Sequence, residues 1–75
     1  MNNISKIWLD DEMIYIKTDN GKVYGEKFVN YPRLCNATPQ QRNAFTASNL
    51  GIHWQILDED FTYNGFLNKE KEIMI

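Results

Sequence analysis

Met13-Ile14-Tyr15-Ile16-Lys17-Thr18-Asp19-Asn20-Gly21-Lys22-Val23-Tyr24 is the stretch that decides the fold. Its first half is rich in β-branched and aromatic residues that suit a pleated strand. Asn20-Gly21 then accepts the positive φ angles of a two-residue turn whose twist matches a hairpin. A strand, a tight reversal and a second strand are expected, with Lys17 facing Tyr24 and Thr18 facing Val23.

Working outward, residues 4–9 form another short apolar run, joined to Met13 through Asp10-Asp11-Glu12, which is too acidic to continue a half-buried strand. A connection at Asp11-Glu12 sets Leu9 opposite Ile14, Trp8 opposite Tyr15 and Ile7 opposite Ile16. The third strand runs over 22–29, with Gly25 a weak point or bulge site, and Pro32 ends it. Thr38-Pro39-Gln40-Gln41 is a helix start: Thr38 caps free amides, Pro39 suits the first helical position, and Gln41 completes a capping box. A helix over 39–48 is expected, with Gly51 as its stop. Period two then returns, placing Ile52, Trp54 and Ile56 on one side of a fourth strand.

The fold class is therefore α+β: a small antiparallel sheet of three to five strands with one main helix packed on it. Residues 1–68 read as a single domain. Residues 69–75 read as a charged, frayed tail, although Ile73-Met74-Ile75 could dock.

A chain of 75 residues has room for one core and buries roughly 60–65% of its unfolded surface, so a partner or a second copy could supply missing burial. The single cysteine excludes an internal disulfide. Met1-Asn2-Asn3-Ile4-Ser5-Lys6 has no basic segment followed by an apolar run of signal length, so the expected location is cytoplasmic. No apolar stretch approaches the roughly 20 residues of a membrane span. The net charge of −2 argues against a dominant phosphate-binding surface, which needs clustered Lys and Arg.

Tyr31-Pro32-Arg33-Leu34, Ala37-Thr38-Pro39-Gln40-Gln41-Arg42, Gly51-Ile52-His53-Trp54 and Leu57-Asp58-Glu59-Asp60, preceded by the hairpin turn Asp19-Asn20-Gly21, form one pattern. Together they resemble the bacterial domain-of-unknown-function family 2442 over nearly the whole chain. The resemblance implies a compact α+β domain and brings no catalytic residues to transfer. It also implies a gene neighbour from a second uncharacterised family, numbered 4160, in a two-component, toxin–antitoxin-like arrangement. Gln55 stands where the family often has Pro, and the residues beyond Leu67 look particular to this chain.

The catalytic inventory is thin. His53 with Asp58 or Asp60 could form an acid–base or metal cluster, but zinc usually needs three or four ligands at fixed spacing, and acidic residues also populate turns. Cys35 reads as a packed thiol, and Trp54 as a core anchor whose indole nitrogen needs a partner. No catalytic, cofactor or metal residue is nominated, and no small-molecule substrate is identified.

The leading functional reading is a non-enzymatic protein-interaction module, binding a protein partner or a second copy. Its alternative is a nucleic-acid-associated regulator using Arg33, Arg42 and Lys27. In the assumed registers one sheet face is aliphatic (Ile7, Leu9, Ile14, Ile16, Val23) and the other aromatic, carrying Trp8, Met13, Tyr15, Tyr24 and Phe28 with Lys6 and Lys17 among them. One helix cannot cover both faces. The aromatic face is thus either a partly exposed binding surface or a second core surface, covered by Trp54, Phe61 and the tail.

Overall fold

The structure is a computed structural model that describes residues 4–73. Met74 and Ile75, expected near the tail's docking point, lie outside the described residues, as does the stretch 1–3. Among the described residues the fold has two antiparallel sheets and three short α-helices. Strands β1 (Ile4–Leu9), β2 (Met13–Thr18) and β3 (Val23–Lys27) form a meander, followed by a turn of 3-10 helix at Phe28–Asn30. Helices α1 (Pro32–Cys35) and α2 (Pro39–Asn43) come next. A second meander, β4 (Thr46–Ala47), β5 (Gly51–Trp54) and β6 (Glu59–Thr62), leads into α3 (Tyr63–Phe66). Strand β7 (Glu72–Ile73) then joins the first sheet, giving the orders β1-β2-β3-β7 and β4-β5-β6. Among the described residues no helix is long and apolar enough to cross a membrane.

The β1–β2 hairpin has the expected register, with Leu9 opposite Ile14, Trp8 opposite Tyr15 and Ile7 opposite Ile16. Asp10 closes it: its carboxylate accepts from the amides of Glu12 and Met13 at 2.9 and 2.8 Å. The β2–β3 hairpin differs by one residue, because Lys17 faces Val23 and Ile16 faces Tyr24. Its loop is three residues long. The Gly21 amide donates to the Thr18 carbonyl, the Thr18 amide donates to the Lys22 carbonyl, and Gly21 alone of the loop takes a positive φ, +89°. A turn closed by one left-handed glycine leaves a bulge and advances the register by one.

That single step turns β3 over. Tyr24 and Phe28, expected on the aromatic outer face, point into the core at 8% and 2% exposure. They join Ile14, Ile16, Leu34, Ile52, Trp54, Phe61, Tyr63 and Phe66 in one buried cluster. Val23, expected with the aliphatic set, moves to the opposite face. Trp54 and Phe61, which one of the two alternatives laid across the outer face, belong to the cluster on the inner side, ring centroids 5.1 Å apart.

Among the described residues no main helix is present. Thr38 and Gln41 make the expected capping box, with Pro39 in the first turn, but α2 ends at Asn43. Residues 46–47 are drawn off as a strand pairing with His53 and Ile52, and one turn of helix loses that competition because most helical stability comes from packing an apolar face. α2 buries no residue. Gly51 is not a helix stop but a strand residue opposite Thr62, where a Cβ would lie 2.0 Å from the Phe61 carbonyl oxygen. Ile56 falls beyond β5 in a turn and is 76% exposed.

The tail expected to fray is tied down as far as Ile73. Lys71 Nζ lies 2.7 Å from the buried Glu26 carboxylate and donates to the Gly65 carbonyl at 2.8 Å. Tyr31 Oη donates to the same Glu26 oxygen at 2.6 Å. Glu72 and Ile73 then pair with Tyr24 and Val23.

Candidate functional site

Side chains alternate across a strand, so the observed registers place Lys6 and Trp8 of β1, Met13, Tyr15 and Lys17 of β2, and Val23, Gly25 and Lys27 of β3 on the face turned away from the core. Trp8 and Tyr15 are directly opposed and stacked, centroids 5.2 Å apart and planes 17° from parallel. The Lys6 ammonium stands 5.2 Å from the Trp8 ring centroid. Tyr15 Oη donates to the Asp10 carboxylate at 2.6 Å. That bond is the largest cause of Asp10 titrating below its usual range and of Tyr15 titrating above its own.

Gly25 is the floor of this face. A Cβ there would come within 2.6 Å of Met13 Cε and 3.3 Å of Tyr15 Cδ1 and Ile73 Cδ1, so three side chains share the space that the glycine leaves. Trp8, Met13 and Tyr15 are each partly exposed. Of the five expected binding residues the structure therefore brings these three together and removes Tyr24 and Phe28. Half-buried Ile73 is added to the face through its pairing with Val23, which lies there buried at 4% exposure.

The proposed basic set does not assemble into one patch. Arg42 donates from Nε to the Leu34 carbonyl at 2.8 Å, from Nη2 to the Cys35 carbonyl at 3.0 Å and from Nη1 to the Asp11 carbonyl at 3.2 Å. Its guanidinium lies 4.5 Å from the Phe28 ring centroid, and its own carbonyl accepts the Trp54 indole N–H at 2.9 Å. Arg42 thus joins the end of α1, the β1–β2 loop and β5. Arg33 turns elsewhere, donating to the Asp58 carbonyl at 2.6 Å with the Asp58 carboxylate 3.9 Å away. Lys27 and Arg42 line an open cleft of about 400 Å³ that also holds Asp11 and Glu12, whose carboxylates oppose a phosphate there.

His53 meets Asp60 across the β5–β6 pair, its Nδ1 hydrogen-bonded to the carboxylate, while Asp58 is held at φ 52° beside Arg33. Of the two carboxylates weighed against His53, the structure pairs it with Asp60. Among the described residues no three His, Cys, Asp or Glu side chains are grouped to hold an ion. Cys35, expected to be packed, is exposed. Trp54 is the core anchor anticipated, 1% exposed, and its indole nitrogen has the partner it needed.

Residues 4–72 match the model of the family described as "Protein of unknown function (DUF2442)". No curated protein and no solved structure matches the chain.

Proposed function

From a chain that belongs to the DUF2442 family, whose description assigns no activity, we propose a non-enzymatic protein-interaction module acting through the outer face of the β1-β2-β3-β7 sheet. The observation that carries this reading is the stacked, partly exposed Trp8–Tyr15 pair with Met13, on the side of the sheet opposite the core. Rings with apolar bodies and polar tips are the residue types that dominate interface energetics. The paired-gene arrangement implied by the family resemblance makes the neighbouring gene's product the first partner to test, in a toxin–antitoxin-like pair.

The test is calorimetric titration of this chain with that purified product, repeated with Trp8→Ala and Tyr15→Ala. The expected result is a complex that each variant weakens by about tenfold or more while its denaturation midpoint stays close to that of the parent. Affinities unchanged by both substitutions would remove the face from consideration. The nucleic-acid alternative has weaker support, because Arg42 is engaged by the Leu34, Cys35 and Asp11 carbonyls and Arg33 by the Asp58 carbonyl.

A further inference from the structure

We infer that the occupant of this face is an acidic, apolar-anchored extended segment of another protein, with one of its carboxylates seated between Lys6 and Lys17. The inference rests on the interaction-module reading and adds the chemistry of the partner.

Lys6 and Lys17 are direct cross-strand partners, and both are exposed. Like charges placed directly opposite each other destabilise an antiparallel pair. Neither lysine belongs to an ion pair among the described residues. The other strand positions on this face are Trp8, Met13, Tyr15, Val23, Gly25, Lys27 and Ile73, without a carboxylate among them. Asp10, at the rim, is already engaged by Tyr15 Oη and two backbone amides. A chain of net charge −2 thus gathers three of its cations on one apolar face and leaves two of them opposed.

A carboxylate between the two ammonium groups accepts charge-assisted hydrogen bonds from both and cancels their repulsion. A neighbouring apolar side chain of the same segment then covers Trp8 and Tyr15. β1 is the edge of its sheet, so an extended segment can pair with its outward backbone groups and lay every second side chain on this face. The chain's net charge of −2 disfavours a polyanion such as a nucleic acid, whereas a single seated carboxylate needs only the two lysines.

The experiment titrates the ¹⁵N-labelled full chain with a short peptide alternating Glu and Leu, with its counterpart carrying Lys for Glu, and with oligodeoxythymidylate. The acidic peptide is expected to shift the amides of Lys6, Trp8, Tyr15, Lys17 and Gly25. The Lys6→Gln/Lys17→Gln double variant is expected to bind it about tenfold more weakly, with a denaturation midpoint that does not fall, because the repulsion is gone. The Lys6→Arg/Lys17→Arg variant keeps the charge and is expected to retain binding.

Equal binding of both peptides on this face would overturn the carboxylate seat and leave the interaction face standing. Shifts confined to residues elsewhere, no shifts from the acidic peptide, or tighter binding of the oligonucleotide would overturn the inference; of these, a footprint elsewhere or a preferred oligonucleotide would also overturn the interaction-module reading.

Discussion

Replacing Arg42 by Met separates a structural arginine from a phosphate-contacting one. The aliphatic stem is kept and the guanidinium is lost. The partly buried bond to the Leu34 carbonyl contributes about 1.5 kcal/mol, and the two exposed bonds to Cys35 and Asp11 about 0.5 kcal/mol each. The cation above Phe28 contributes about 0.5 kcal/mol more. A loss of about 3 kcal/mol is expected, which in a domain of this size lowers Tm by roughly 15 °C. Arg42→Lys restores the charge without the planar fork and should recover less than half of the loss. Arg33→Ala is the control: its contacts to Asp58 are solvent-exposed, and such pairs contribute about 0–1 kcal/mol. Calorimetric or circular-dichroism melts of the four proteins measure all of this. An Arg42→Met chain melting within about 4 °C of the parent would show that the guanidinium does not join α1 to the β1–β2 loop.

Phe28→Ala and Tyr24→Ala should each cost about 3–5 kcal/mol as buried aromatics, whereas Trp8→Ala should cost distinctly less; urea denaturation giving equal losses would refute the assignment of faces. Gly51→Ala should destabilise by about 1–3 kcal/mol or more, since its Cβ meets the Phe61 carbonyl at 2.0 Å, and an unchanged urea midpoint would contradict the close β5–β6 approach. Burial and the hydrogen bond to Glu26 push Tyr31 up from 10.0 to about 12. The neutral phenol is therefore favoured in the folded chain, and its contribution to stability is full below pH 10 and lost as pH rises toward 12. Tyr31→Phe should flatten that part of the stability–pH curve measured by denaturation, and a curve of unchanged slope would refute the assignment.

Local chemistry was legible wherever it is self-contained. The Asp10-Asp11-Glu12 reversal, the register of β1 on β2, and the Thr38 capping box follow from residues within a few positions of one another, and the structure has them as expected. The Asn20-Gly21 turn was legible as a turn, but its length was not. Two- and three-residue loops both accept that dipeptide, and they differ by one residue in register, which sends every β3 side chain to the other face. What selects the longer loop is distant in sequence: with it, Tyr24 and Phe28 join Trp54, Phe61 and Phe66 in the core.

The same reason governs the rest. α2 stops where residues 46–47 find strand partners in Ile52 and His53, and the tail is held because Glu26, turned inward by the β3 register, meets Lys71 and Tyr31. The sequence by itself determined the α+β class, the β1–β2 reversal with its register, and the Thr38 capping box. Only the tertiary structure decided which of the aromatics are core and which remain on the surface, because a period-two strand carries apolar residues on both faces and burial against remote segments chooses between them.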